Sequence, residues 1–118
     1  MVRVIIAGSR TFKDYDLLER ETINFLKEYR PSQVEIVSGT AEGADLLGEE
    51  FAKKKGCKIK RFFPDWDNLG KTAGYIRNGE MARYADKCIV FWNCISRGSE
   101  QMINIATKEG LDLKVVKY

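Results

Sequence analysis

The sequence predicts an α/β fold: a parallel five-stranded sheet of order 3-2-1-4-5, covered by helices on both faces as a three-layer sandwich, in a single domain spanning 1–118. Three observations predict it. Strand-sized apolar runs alternate with helix-patterned segments along the whole chain, and such alternation closes into a parallel sheet because each crossover lays a helix over one face. Two of the runs, Val2–Ala7 and Lys87–Trp92, are almost continuously apolar, which marks strands buried on both sides. Three strands end in turns of small residues, two of which lead directly into helices.

The first strand stops at Gly8-Ser9-Arg10. Asp14 or Asp16 can cap the helix that follows, Asp16 with Glu19 having capping-box spacing. Its apolar face is Leu18, Thr22, Phe25, Leu26 and Tyr29, and Pro31 ends it near Tyr29. Val34–Val37 is the second strand. Ser38-Gly39-Thr40-Ala41-Glu42-Gly43-Ala44-Asp45 turns into a helix with Ala44, Leu47, Gly48, Phe51 and Ala52 on one face. Lys53–Lys55 and Gly56 close that helix, because cations suit its negative end and glycine its left-handed cap.

Lys58–Phe63 is a third strand, near an edge where lysines guard against stray pairing. Pro64–Gly70 reads as a loop. Ala73–Tyr84 reads as a helix with Ile76, Arg77, Glu80, Met81 and Tyr84 at helical spacing. After the fourth strand, Asn93–Ser99 turns into a helix that buries Met102, Ile103 and Ala106, and Leu113–Val116 is the last strand.

Bulk properties exclude several function classes. One core is affordable at 118 residues, two are not. No apolar run is long enough for a membrane span, and residues 1–7 lack the layout of a signal peptide. Three cysteines without a C-x-x-C argue against a disulfide framework and a structural zinc, and fit a reducing cytoplasm. There is no histidine, so Ser-His-Asp and Cys-His chemistry and the commonest catalytic zinc ligands are absent. No metal and no cofactor is expected. The net charge of +3 is mild, and without a basic, aromatic-rich stripe it disfavours nucleic acid as a partner.

In this strand order winding reverses between strands 1 and 4, and ligands of open α/β sheets bind outside the strand C-termini at that point. Gly8, Ser9 and Arg10 then lie beside Asn93 to Ser99, where Ser96, Gly98 and Ser99 are the candidate contacts, with Ser38, Gly39, Thr40 and Asp45 next door. Helix N-termini offer unpaired amides and partial positive charge, so this rim suits an anion. Small residues there also serve plain packing and capping. Arg77 and Asn78 sit on a helix that starts at the same crevice; Arg77 either grips a phosphate or pairs with Glu80 on a solvated face. Asp45 caps its helix, binds a ribose hydroxyl or acts as a general base. Trp66, in a polar loop, is the better stacking candidate, since Trp92 continues a buried strand. Gly70-Lys71-Thr72 looks like the tail of a phosphate-wrapping P-loop, but Asp65 stands where its first glycine belongs.

Taken together, Ala7-Gly8-Ser9-Arg10-Thr11-Phe12, Ser38 to Asp45, Ala73-Gly74-Tyr75-Ile76-Arg77-Asn78 with Met81, and Ser96-Arg97-Gly98-Ser99 resemble the YspA/YpsA-related branch of the SLOG superfamily. That superfamily includes the LOG phosphoribohydrolases and the DNA-processing protein DprA. The resemblance implies a Rossmann-like fold, a bacterial or phage setting and a nucleotide-derived ligand. The chain departs from the family where Thr40 and Cys94 stand in place of glycines. Arg77 matches an arginine of the LOG enzymes, but Met102 occupies the place of their catalytic glutamate. The expectation is therefore a module that binds a nucleotide-derived small molecule, as a sensor or a sequestering protein. The alternative is a hydrolase of N-glycosidic or phosphate bonds, with Asp45 or Glu100 as acid–base group. DprA-like nucleic-acid binding ranks third. Relatives of this fold commonly pair, which makes a homodimer the expected assembly.

Overall fold

Strand β1 (Val2–Gly8) runs through the centre of the sheet and divides the core in two. Its side chains alternate, so Val4 and Ile6 face one layer of helices and Ile5 and Ala7 the other. All four are buried, as a continuous apolar run in a parallel sheet requires. The computed structural model describes residues 1–118. Around β1 lie β2 (Val34–Ser38), β3 (Lys58–Arg61), β4 (Lys87–Trp92) and β5 (Asp112–Lys117). All neighbours are parallel and the order is β3-β2-β1-β4-β5, as predicted.

Helices α1 (Tyr15–Phe25) and α2 (Ala44–Lys55) cover one face. Leu18, Phe51 and Ala52 close on Val4, Ile6 and Ile36 there. Gly48 lets α2 sit tightly against the sheet: a Cβ at that position would lie 2.9 Å from Ile6 Cβ. The other face carries α4 (Ala73–Tyr84) and α5 (Arg97–Lys108), whose Met81, Met102 and Ala106 meet Ile5, Ala7 and Val90. No helix is long and apolar enough to cross a membrane.

Three local expectations change and one open alternative is settled. Asp14, not Asp16, caps α1, accepting the Leu17 N–H at 3.0 Å. That helix ends at Phe25 rather than near Tyr29, and the chain reaches Pro31 through a looser turn. The segment read as a loop contains a one-turn helix, α3 (Trp66–Leu69), because Asp65 accepts the Asn68 N–H at 3.2 Å and nucleates it. The inward face of α4 is rotated from the expected one. Ile76 and Glu80 are exposed, while Arg77, Asn78 and Met81 are buried. Periodicity placed the apolar Ile76 inside. The fold instead buries two polar side chains that find hydrogen-bond partners.

Candidate functional site

The β1 turn is clamped between α2 and β4. The Ser9 carbonyl accepts the N–H groups of Phe12 at 3.1 Å and Ala44 at 3.4 Å, and the Ser9 N–H donates to the Phe91 carbonyl at 3.0 Å. There is no room for a side chain on either glycine of this contact. A Cβ at Gly8 would be 2.9 Å from Ala44 Cβ, and one at Gly43 would strike the Arg10 carbonyl. Gly43 also has φ +82°, a conformation glycine adopts freely. Ser9 is buried, and its hydroxyl accepts the Asn93 N–H at 3.2 Å, so it ties β1 to the β4–α5 turn. The α2 N-terminus is thus partly spent on protein, with its first amide on the Ser9 carbonyl.

The open N-terminus belongs to α5. Asn93 Oδ1 accepts the N–H groups of Ile95 and Ser96 at 2.9 and 2.8 Å, and Ser96 caps the helix by accepting from the Ser99 amide at 3.3 Å. The Trp92 indole N–H donates to the Ser96 carbonyl at 3.0 Å and holds the turn shut. The amides of Arg97 and Gly98 keep no intrahelical partner. A Cβ at Gly98 would meet nothing within 4 Å, so the backbone there faces open space.

A hollow of about 410 Å³ lies between these turns. Gly8, Ser9 and Arg10 line it together with Asp45, Trp66, Arg77, Asn78, Ser96, Gly98 and Ser99. Arg10 and Arg77 thus meet at one site. A second hollow of about 560 Å³ adjoins it and takes in Gly39 and Thr40, with Arg10, Ala41, Trp66 and Arg77 common to both.

Two expected residues stand apart from both hollows. Ser38 is fully buried beneath the β2–α2 turn, donating its hydroxyl to Glu49 at 2.7 Å and accepting the Thr40 N–H at 3.0 Å. Arg61 completes this support by donating to Glu49 at 2.9 Å. Ser38 therefore shapes the turn instead of offering a hydroxyl to a ligand. Glu100 is exposed in the first turn of α5 and lines neither hollow, which removes it as an acid–base group at this site. Met102 is buried and lines the floor of the first hollow.

Sequence reasoning missed Lys71 and Tyr75, which also line the first hollow, as does Asn93 at the start of the turn it placed there. Lys71 comes from the Gly70-Lys71-Thr72 run that fails as a P-loop. The one-turn helix before it carries the lysine to the rim by another route.

Arg77 and Asp45 form the charged interior. Only 9% of Arg77 is exposed. It donates to the Gly39 carbonyl through Nη1 and to Asn78 Oδ1 through Nε, the latter at 3.0 Å. Asn78 in turn donates to Gln101 at 2.7 Å, tying α4 to α5. Pairing with Glu80 does not occur, since Glu80 is on the solvent side. Burial lowers the Arg77 pKa, an effect that the charge of Asp45 opposes. Asp45 accepts the Ala41 N–H at 3.1 Å on Oδ2 and leaves Oδ1 free of protein donors. Burial pushes its carboxyl up to about 6; the Ala41 hydrogen bond and the charges of Arg77 and Arg10 pull the other way without cancelling it. Both charged groups crowd Gly39: a Cβ there would lie 2.8 Å from Asp45 Oδ2 and 3.0 Å from Arg77 Cζ.

The two departures from family glycines have a backbone meaning. Thr40 and Cys94 are the non-glycine residues with positive φ, at 66° and 67°. A left-handed conformation costs an L-residue roughly 1–2 kcal/mol, part of which glycine returns through its greater freedom in the unfolded chain. Cys94 is exposed, so Cys94→Gly is expected to raise the unfolding free energy by about 1 kcal/mol. Thr40→Gly is expected to gain less, because it also loses the Thr40 hydroxyl bond to the Gly39 carbonyl at 2.6 Å. Urea denaturation at constant m-value measures both, and a fall in midpoint for Cys94→Gly contradicts the strain argument.

Residues 2–68 match the family model described as "YspA, cpYpsA-related SLOG family". The Gene 61 protein of Mycobacterium phage D29 is 34% identical over 121 residues, covering 94% of this chain and 93% of the relative. Among solved structures, DNA processing protein A from Helicobacter pylori, described for a unique single-stranded DNA binding mode, superposes with a TM-score of 0.72 at 23% identity. DprA from Streptococcus pneumoniae superposes with a TM-score of 0.74 at 20% identity. These matches cover 97% and 98% of this chain but 64% and 50% of the two DprA chains, and at such identity they show a shared fold.

The likeness corrects the expectation that set nucleic acid aside, since this fold also serves a protein with a single-stranded DNA binding mode. The physical reason is that net charge is a property of the whole chain. The rim gathers Arg10, Lys71 and Arg77 with Trp66 and Tyr75, and that concentration does not show in a total of +3. With the family model matched over more than half its length and a phage relative matched almost end to end, the chain belongs to the YspA, cpYpsA-related family of the SLOG superfamily.

Proposed function

We propose that the rim hollow binds a nucleotide through its phosphate, as a sensor or sequestering module. The observation that carries this is the convergence of Arg10, Lys71 and Arg77 with the open amide of Gly98 around one cavity that has Trp66 and Tyr75 in its lining. A guanidinium grips phosphate oxygens bidentately, and a helix N-terminus adds donors and positive potential. Asp45 Oδ1 is an acceptor for a ribose hydroxyl, and the aromatic rings are platforms for a base. Calorimetric titration of nucleoside monophosphates against the matching nucleosides tests it. The nucleotide is expected to bind at micromolar level and the nucleoside at least about tenfold more weakly. Arg10→Ala is expected to cost binding about tenfold and leave the melting temperature unchanged, because Arg10 is exposed. Equal affinity for nucleotide and nucleoside defeats the proposal.

A second reading places the nucleotide in a single strand, favoured by the fold shared with the Helicobacter pylori protein. Anisotropy of a labelled oligonucleotide, followed across salt concentration, separates it from the first: strand binding weakens steeply with salt as counterions are released. The hydrolase reading now rests on Asp45 alone, whose raised pKa suits proton transfer near neutrality. Chromatography of nucleoside monophosphates after incubation with wild type and Asp45→Asn decides it. Unchanged substrate, or turnover that survives the substitution, removes this role.

A further inference from the structure

We propose that the site has two compartments and takes two nucleosides joined by one phosphate. This rests on the phosphate-binding reading above and extends it to the class of ligand. The two hollows, of about 410 and 560 Å³, each fall in the range of roughly 300–1,000 Å³ typical of small-molecule pockets. They share Arg10, Arg77 and Trp66, so the cations lie where the compartments meet.

The chemistry of the two sides differs. The first compartment adds Lys71 and the open end of α5. The second adds no further cation; it adds the carboxylate of Glu42 and the apolar surfaces of Phe63 and Pro64. A terminal phosphate is repelled there, while a neutral nucleoside fits: its hydroxyl or amino hydrogens can be donated to Glu42 and its base can lie on Phe63. A phosphate bridging two such units belongs at Arg10 and Arg77.

Phe63 is the least expected residue in this compartment. It is 71% exposed, among the most accessible large apolar side chains of the protein. Its neighbour Phe62 points inward: its ring packs edge-on against Tyr84 at 5.4 Å and its N–H donates to the Ser38 carbonyl at 2.8 Å. Alternation beyond β3 therefore throws Phe63 outward on an anchored backbone. Trp66, also half exposed, follows three residues later and lines the same hollow. Two accessible rings beside shared cations make a stacking arrangement that one nucleotide does not use in full.

The test compares a nucleoside 5′-methylphosphate with the 3′,5′-linked dinucleoside phosphate of the same base, for each of the four bases. The two carry the same single negative charge and differ by the second nucleoside. Calorimetry with the full chain is expected to give at least about tenfold tighter binding of the dinucleoside phosphate. Phe63→Ala is expected to erase that gain and leave the methylphosphate unchanged; the side chain is 71% exposed and outside both core clusters, so the variant is expected to fold. Thymidine oligomers of two, six and twelve units then identify the source. An affinity that levels at two units indicates a free dinucleotide, and one that keeps rising indicates a strand crossing both compartments; either supports the proposal. Dinucleoside phosphates that bind no tighter than methylphosphates, or a Phe63→Ala variant that weakens both alike, overturn the second compartment alone. If neither ligand binds, the phosphate-binding reading falls with it.

Discussion

Arg77→Met is expected to weaken binding of a phosphodiester by about 100-fold or more, while shifting folding stability by no more than about 2 kcal/mol. The two halves of this prediction have different physical origins. In the free protein Arg77 is almost fully buried, yet its guanidinium rests on a backbone carbonyl and an amide oxygen and makes no direct ion pair with a carboxylate. Its charge is thus desolvated without full compensation, as its lowered pKa reflects. Replacing it by an apolar side chain of similar length removes that penalty and strands one acceptor, Asn78 Oδ1, at a cost of about 1–3 kcal/mol, since the Gly39 carbonyl keeps the Thr40 hydroxyl. These terms oppose one another in the fold. A bound anion has no such offset, because it loses a desolvated, charge-assisted partner outright. Denaturation and calorimetry on one preparation check both halves. A variant that unfolds readily but binds normally shows Arg77 to be a brace.

Asp45→Asn is expected to stabilise the protein by about 3 kcal/mol at pH 7.5 and by far less near pH 4. The folded-state pKa of Asp45 is raised from 3.8 to about 6 by burial. Between these values the folded state holds a proton that the unfolded chain has lost. Stability from this group is therefore complete below pH 3.8 and declines as pH rises through about 6. Asparagine keeps an oxygen to accept the Ala41 N–H and never ionises. The difference between wild type and variant should grow over that interval and then level off, which isolates Asp45 from other carboxylates. A difference independent of pH counts against an ionised, buried Asp45.

Both residues show how far the sequence could be read. The strand–helix alternation, the two-sided burial of β1 and β4 and the small-residue turns that end them follow from local pattern. Apolar alternation and small-residue turns are nearest-neighbour properties of the chain. Arg77 could be named as a phosphate ligand only beside an equally simple pairing with Glu80. The choice was made by rotation of α4, which turns Ile76 outward and Arg77 and Asn78 inward toward Gly39 and Gln101. A helical wheel cannot specify that rotation, since it depends on partners 38 and 23 residues away.

The same distinction separates the candidates that met from those that did not. Ser38, Ser9 and Glu100 look alike on paper as polar residues at strand ends and helix starts. Ser38 was drawn under its turn by Glu49, Ser9 was used to tie β1 to the next turn, and Glu100 was left on the solvent side of α5. Lys71 and Phe63 came to the rim because a one-turn helix and an anchored Phe62 set their directions. The sequence by itself determined the alternation of strands and helices, and hence the layers, because these depend on periodicity; the sheet order rests on which strands pair. Which side chains face a ligand, and with what charge, was decided by tertiary structure, because burial and hydrogen bonding between distant segments set both the direction of a polar side chain and its protonation.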